Sequence, residues 1–166
     1  MKKLKILILG SPNVGKSLVF GNLTNEYVIV SNYPGTTVEV TRGKAMIGQA
    51  EYEVIDSPGL YSLLTVSEDE KVTKRILFNE KPDILIHVVD AKNIERMLSL
   101  SLQLIETEIP VILVLNIMDE ARKEGVSINS RKLEKILKIP VVEAVSTRGA
   151  GTEELKKRIA EYGQKL

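Results

Sequence analysis

Apolar residues in this chain gather in short, nearly unbroken runs, and between the runs they recur at helical spacing. Residues 4–9, 84–90, 111–115 and 141–145 are runs of the first kind, each with Gly or Pro close by. Such runs read as strands buried in a sheet. Leu18, Val19, Phe20 and Leu23 predict a helix over 17–23, and a second is expected near 68–79. Ile94, Met97, Leu98, Leu102 and Ile105 predict a third. Leu133, Ile136 and Leu137 are the inward positions of a helix over 132–138, with Asn129 or Ser130 as its cap. Thr152 reads as the cap of a final helix, with Glu153 and Glu154 at its positive end. Residues 24–37 hold Asn25, Asn32, Pro34 and Gly35 and read as a loop that becomes ordered when something binds it. Residues 38–47 and 52–55 read as an antiparallel pair joined at Ile47-Gly48-Gln49-Ala50.

Strands otherwise alternate with helices. The pattern predicts an α/β fold: a three-layer sandwich whose six-stranded, mostly parallel sheet has one antiparallel strand and helices on both faces. Ligands of such sheets sit at the carboxyl ends of the strands. Gly10, Asp56, Asn116 and Ser146 all follow strands at that edge, so the topology alone brings them together.

Composition narrows the classes. The chain has 166 residues, enough for one domain over 1–166 with a substantial core. Its 23 basic and 22 acidic residues nearly cancel, which leaves no electrostatic footprint for direct nucleic-acid binding. With no cysteine and a single histidine, neither disulfides nor a structural zinc site is expected. No apolar run approaches the ~18–20 residues needed to span a bilayer, so the expectation is a water-soluble domain.

The chemistry starts at Gly10-Ser11-Pro12-Asn13-Val14-Gly15-Lys16-Ser17, which fits the phosphate-loop pattern G-x-x-x-x-G-K-[ST] between a strand and the helix that carries Leu18. Glycines let the backbone close on a phosphate with its N–H groups inward. Lys16 supplies a cation for the outer phosphates, and the Ser17 hydroxyl is a ligand for Mg²⁺. Asp56-Ser57-Pro58-Gly59 sets a carboxylate beside that ion, directly or through water, and leaves the Gly59 N–H for a γ-phosphate. Asn116-Ile117-Met118-Asp119 ends another strand. A carboxylate there accepts from both N1–H and the exocyclic amino group of guanine, a donor pair that adenine lacks. Val145-Ser146-Thr147-Arg148 can turn backbone N–H groups toward the guanine O6. His87 lies mid-strand and reads as a core residue, and Asp90 as a helix cap.

Together these segments resemble the five sequence elements of the small GTPase superfamily. More narrowly, the phosphate loop, the stretch from Asn32 through Tyr33-Pro34-Gly35-Thr36-Thr37 to Glu39, the stretch from Asp56 to Leu63, and Asn116 to Asp119 resemble the G domain of FeoB, the prokaryotic ferrous iron transporter family. The resemblance implies GTP and GDP as ligands, Mg²⁺ as cofactor and hydrolysis of GTP to GDP and phosphate. It implies that Thr37 joins Ser17 on Mg²⁺, with Thr36 the alternative. It also implies that Asn13 binds an activating K⁺, completed by backbone carbonyls around Gly35 and Thr36. Residues 25–38 and 57–70 would be the two switches. The family's helical spacer and transmembrane region are not in this sequence, so the implied partner is the rest of a transporter polypeptide at the cytoplasmic face of the cell membrane. Oligomeric state, a homo-oligomer included, is left open.

Two departures matter. Leu60 follows Asp-x-x-Gly where Ras-like enzymes place the glutamine that orients water, so slow intrinsic turnover is expected. Ser11 and Ser17 stand where the family commonly has asparagine and threonine, and Ser17 keeps the hydroxyl. Two other classes compete: a free-standing GTPase of the Era or EngA type in ribosome assembly, and an ATP-using kinase-like protein. Asn116-x-x-Asp119 speaks against the latter.

Overall fold

The computed structural model describes residues 3–24 and 28–166. Among these residues seven strands form one sheet: β1 (Leu4–Leu9), β2 (Val28–Asn32), β3 (Glu39–Ile47), β4 (Ala50–Asp56), β5 (Ile84–Asp90), β6 (Val111–Asn116) and β7 (Val141–Glu143). Their order is β2-β3-β4-β1-β5-β6-β7. β3 runs antiparallel to both neighbours, and β4, β1, β5, β6 and β7 pair in parallel. The expected fold class holds with one strand more than expected. β2 lies inside the predicted loop, and Asn25 falls outside the described residues. All five residues of β2 are exposed, so it is held at the sheet edge by its ladder to β3 rather than by burial.

Side chains alternate across the sheet as the pleat requires. From β1, Leu7 and Leu9 enter one core while Ile6 and Ile8 enter the other. The first core is closed by α2 (Glu68–Asn79), α3 (Ile94–Ile105), the short α4 (Met118–Lys123) and α5 (Ser130–Leu137). The second is closed by α1 (Lys16–Leu23) and α6 (Thr152–Gly163). Among the described residues no helix is long and apolar enough to cross a membrane.

Three local expectations are corrected. Leu102 and Ile136 are exposed: α3 buries Leu100, Ser101 and Leu104 instead, and the face of α5 that packs on the core, only partly buried, runs through Leu133 and Leu137. Gly151, with φ 90, occupies the cap of α6 and Thr152 opens the helix without a capping bond. β7 ends at Glu143; Val145 makes only an isolated bridge to Ala150.

His87 is 1% exposed and its Nδ1 lies 2.8 Å from the Ser101 Oγ of α3. Burial alone pushes its pKa from 6.5 to about 3. Below about pH 6.5 the unfolded chain therefore binds a proton that the folded chain refuses, so stability is full above that pH and falls toward pH 3. Between about pH 7.5 and about pH 4.5, urea unfolding of the wild type should lose about 2–3 kcal/mol more than that of His87→Gln. Equal losses in the two proteins would assign the acid sensitivity to other groups.

Candidate functional site

The phosphate loop leaves β1 and enters α1 through Gly15, whose φ is 91. A Cβ there would also lie 2.3 Å from Asn116 Nδ2, so only glycine suits both the backbone and the neighbour. α1 begins with no acidic residue in its first turn and no side-chain cap, so its partial positive end is unneutralised. Asn13 also takes a left-handed conformation, φ 63, and is exposed. Lys16 folds back on the loop, its Nζ 3.4 Å from the Ser11 carbonyl. Desolvation lowers the Lys16 pKa, and the nearby Asp56 only partly opposes it.

Asp56 ends β4 next to β1 and accepts a 2.7 Å bond from Ser17 Oγ through Oδ2. Its other oxygen, Oδ1, is buried with no hydrogen-bond partner among the described residues. Desolvation raises the Asp56 pKa, against the pull of Ser17 and Lys16. An orphaned carboxylate oxygen beside a serine hydroxyl is a hard-oxygen donor set short of its cation, and it fits Mg²⁺.

A pocket of about 220 Å³ opens on the other side of the loop, lined among others by Asn13, Gly15, Leu18, Ile117, Asp119 and Thr147. Ile117 turns the chain out of β6 with φ 59 and starts α4, which carries Asp119 in its first turn. Lys92 anchors α4 through Glu120. Asn116 is 2% exposed and does not line the pocket as a free group. Its Nδ2 donates to the Val14 carbonyl at 2.9 Å, and its Oδ1 accepts from Ser146 N at 3.0 Å and Ser146 Oγ at 2.9 Å. One buried amide thus ties the phosphate loop, β6 and the turn after β7 together.

The remaining predicted residues divide. Met118 lies in the core, 3% exposed, rather than in the pocket. Ser57 is 4% exposed and donates to the Ile8 carbonyl, which holds the turn after β4 to the sheet; the Pro58 carbonyl accepts from Thr73. Gly59 packs so closely on Pro12 that a Cβ would lie 2.5 Å from its ring. Leu60 is fully buried and donates its N–H to the Gly10 carbonyl at 2.9 Å, which removes its side chain from any solvent-filled site. Arg148 closes a single helical turn, 146–148, and is exposed. Gly35, Thr36 and Thr37 do not join the pocket; with Val38, Glu68 and Arg75 they line a separate depression. Thr36 is bound locally to the Tyr33 carbonyl, whereas the exposed Thr37 hydroxyl has no partner among the described residues.

The segment after Leu60 is tied down by two side chains that the sequence pattern did not single out. Glu70 accepts from the N–H groups of Val66 and Ser67 at 2.9 and 3.1 Å, and Gln103 of α3 accepts from Leu63 N at 2.8 Å. Ser67 and Glu70 form a capping box, a spacing visible in the sequence, whereas nothing local marks Gln103.

The sequence model of the family described as ferrous iron transport protein B matches residues 4–159. The chain belongs to that family. It is 42% identical over 166 residues to the Fe(2+) transporter FeoB of Escherichia coli strain K12, covering 98% of this chain and 22% of that protein. The G domain of the T. maritima FeoB iron transporter superposes with a TM-score of 0.90 at 41% identity, covering 98% of this chain and 99% of the other. The GMPPNP form of the T. maritima FeoB cytosolic domain gives 0.91 at 42% identity, covering 97% of this chain and 64% of the other. These FeoB relatives identify the chain as an N-terminal G domain, and a free-standing ribosome-assembly GTPase is not favoured.

Proposed function

We propose that this domain binds GTP and GDP, hydrolyses GTP slowly with Mg²⁺, and regulates ferrous iron uptake as the cytosolic part of a FeoB-type transporter. The observation that carries the nucleotide reading is the orphaned Asp56 oxygen beside Ser17, at the loop that also borders the Asp119 pocket. The phosphate chain would lie over residues 10–17 with its outer charge on Lys16, and the base in the pocket against Asp119. Ser17, Asp56 and Thr37 would hold Mg²⁺, which when bound offsets charge on the phosphate oxygens. Water attacks the γ-phosphorus, the bond to the β–γ bridging oxygen breaks, and the electron pair leaves with GDP. The attacking water's proton ends on inorganic phosphate or on solvent. With Leu60 buried, no side chain follows Gly59 to orient the water, and hydrolysis would depend on backbone positioning, Mg²⁺ and K⁺, in keeping with slow turnover.

Thr37 lines a depression with Glu68 and Arg75 of α2, and in the triphosphate state a movement of residues 33–38 would carry it to Ser17. The same movement would bring the Gly35 and Thr36 carbonyls toward Asn13 for K⁺. Phosphate release from GTP should therefore be faster in K⁺ than in Na⁺ at matched ionic strength, and Asn13→Ala should remove the difference. Chelating Mg²⁺ should abolish turnover in either salt. Equal rates in the two salts, or an advantage of K⁺ that survives Asn13→Ala, would contradict the potassium assignment. ATP hydrolysed as well as GTP would contradict the reading as a whole.

A further inference from the structure

We infer that Asn22 is a positioning residue for the guanine base, acting through the Ser146 carbonyl. The inference rests on the guanine-nucleotide reading above and concerns a residue that no sequence element of the site includes. Asn22 lies on α1, six residues beyond Lys16, and its Nδ2 donates to the Ser146 carbonyl at 2.9 Å across 124 residues of sequence. Ser146 is held at every polar atom. Its N–H and hydroxyl both go to Asn116 Oδ1, and its carbonyl also accepts from Gly149 N at 3.2 Å. Arg148 N is spent on the Val145 carbonyl at 3.0 Å. Within residues 146–149, the Thr147 N–H alone has no partner among the described residues, and Thr147 lines the pocket that holds Asp119.

The carbonyl of Ser146 and the N–H of Thr147 belong to one planar trans peptide and point to opposite sides of it. Fixing the carbonyl from α1 therefore fixes the direction of that N–H on the far side. Asn22 and Thr147 line two different pockets, and Ser146 borders both. The unpaired N–H is the donor suited to the 6-oxygen of guanine, and Asn22 sets its aim. Because α1 starts at the phosphate loop, the same helix positions the groups at both ends of the nucleotide.

The test uses dissociation of a fluorescent GDP analogue from the purified domain, with Asn22→Ala and the isosteric Asn22→Asp. Asn22→Ala should speed dissociation roughly three- to tenfold, the effect of one lost hydrogen bond, with association nearly unchanged. Asn22→Asp should do more, because it puts an acceptor against the carbonyl. Affinity for 6-thioguanosine diphosphate, which keeps N1–H and the 2-amino group for Asp119 but offers only a weak sulfur acceptor at C6, should change far less across the three proteins. Unchanged GDP dissociation in both variants would overturn the inference. So would equal weakening of GDP and the analogue, the mark of a merely loosened fold. If the wild type holds no guanine nucleotide at all, the functional reading falls and takes this inference with it, an outcome distinct from the other two.

Discussion

Asn116→Ala should weaken guanine-nucleotide binding by at least about a hundredfold and lower unfolding stability by about 2–4 kcal/mol. Both effects follow from one buried amide. Removing it strands the Val14 carbonyl, the Ser146 N–H and the Ser146 hydroxyl, groups that it pairs at 2.9–3.0 Å. Buried polar groups left without partners cost about 1–3 kcal/mol each, and partial access of water keeps the sum below the full total. The affinity loss has a separate origin. Without the tie, the phosphate loop and the turn after β7 are no longer held at a fixed spacing, so the nucleotide must order them on binding. Ser146→Ala, which deletes only one of the three bonds, should cost about 1 kcal/mol in urea unfolding. Asn116→Ala with wild-type stability and affinity would show that the amide is not the tie described here.

Asp119→Asn should lower affinity for GDP about a hundred- to a thousandfold and raise affinity for xanthosine diphosphate. A carboxylate accepts two hydrogen bonds from guanine, through N1–H and the exocyclic amino group. An asparagine turns one of those acceptors into a donor, which faces the amino group of guanine wrongly and the 2-oxygen of xanthine correctly. Asp119 sits at the lip of its pocket in the first turn of α4, half-buried, so the exchange should leave the thermal midpoint of the nucleotide-free protein within a few degrees. Titration with the two diphosphates reads the switch directly. Undiminished GDP affinity in the variant would place the base elsewhere.

Much of this molecule was legible because its signals are local. Buried parallel strands announce themselves as apolar runs, and β1, β5 and β6 lie where residues 4–9, 84–90 and 111–115 placed them, β6 with Asn116 added. β2 escapes the hydrophobic pattern for a physical reason. Val28, Ile29 and Val30 are 46–56% exposed at the sheet edge, so they carry neither alternation nor a buried run, and the Asn and Pro-Gly residues around them read as loop. α4 is six residues long and enters from a left-handed isoleucine, too short for any periodicity. At the candidate site, spacing alone picks out the phosphate loop, Asp56 and Asp119. The orphaned oxygen of Asp56, the three bonds of Asn116 and the reach of Asn22 and Gln103 to distant backbone exist only once the chain is folded. Thr37 has its role by resemblance alone, and its place in a depression with Glu68 and Arg75 depends on a helix remote from it in sequence.

Titration of the purified domain with a fluorescent GDP analogue in Mg²⁺, followed by displacement with unlabelled GDP and unlabelled ADP, tests the central claim most directly. GDP should displace the probe at concentrations near that of the protein, whereas ADP should fail at roughly a thousandfold excess, since an amino group at C6 and a bare N1 leave Asp119 unpaired. Equal displacement by the two nucleotides, or no binding of the probe, would contradict the account.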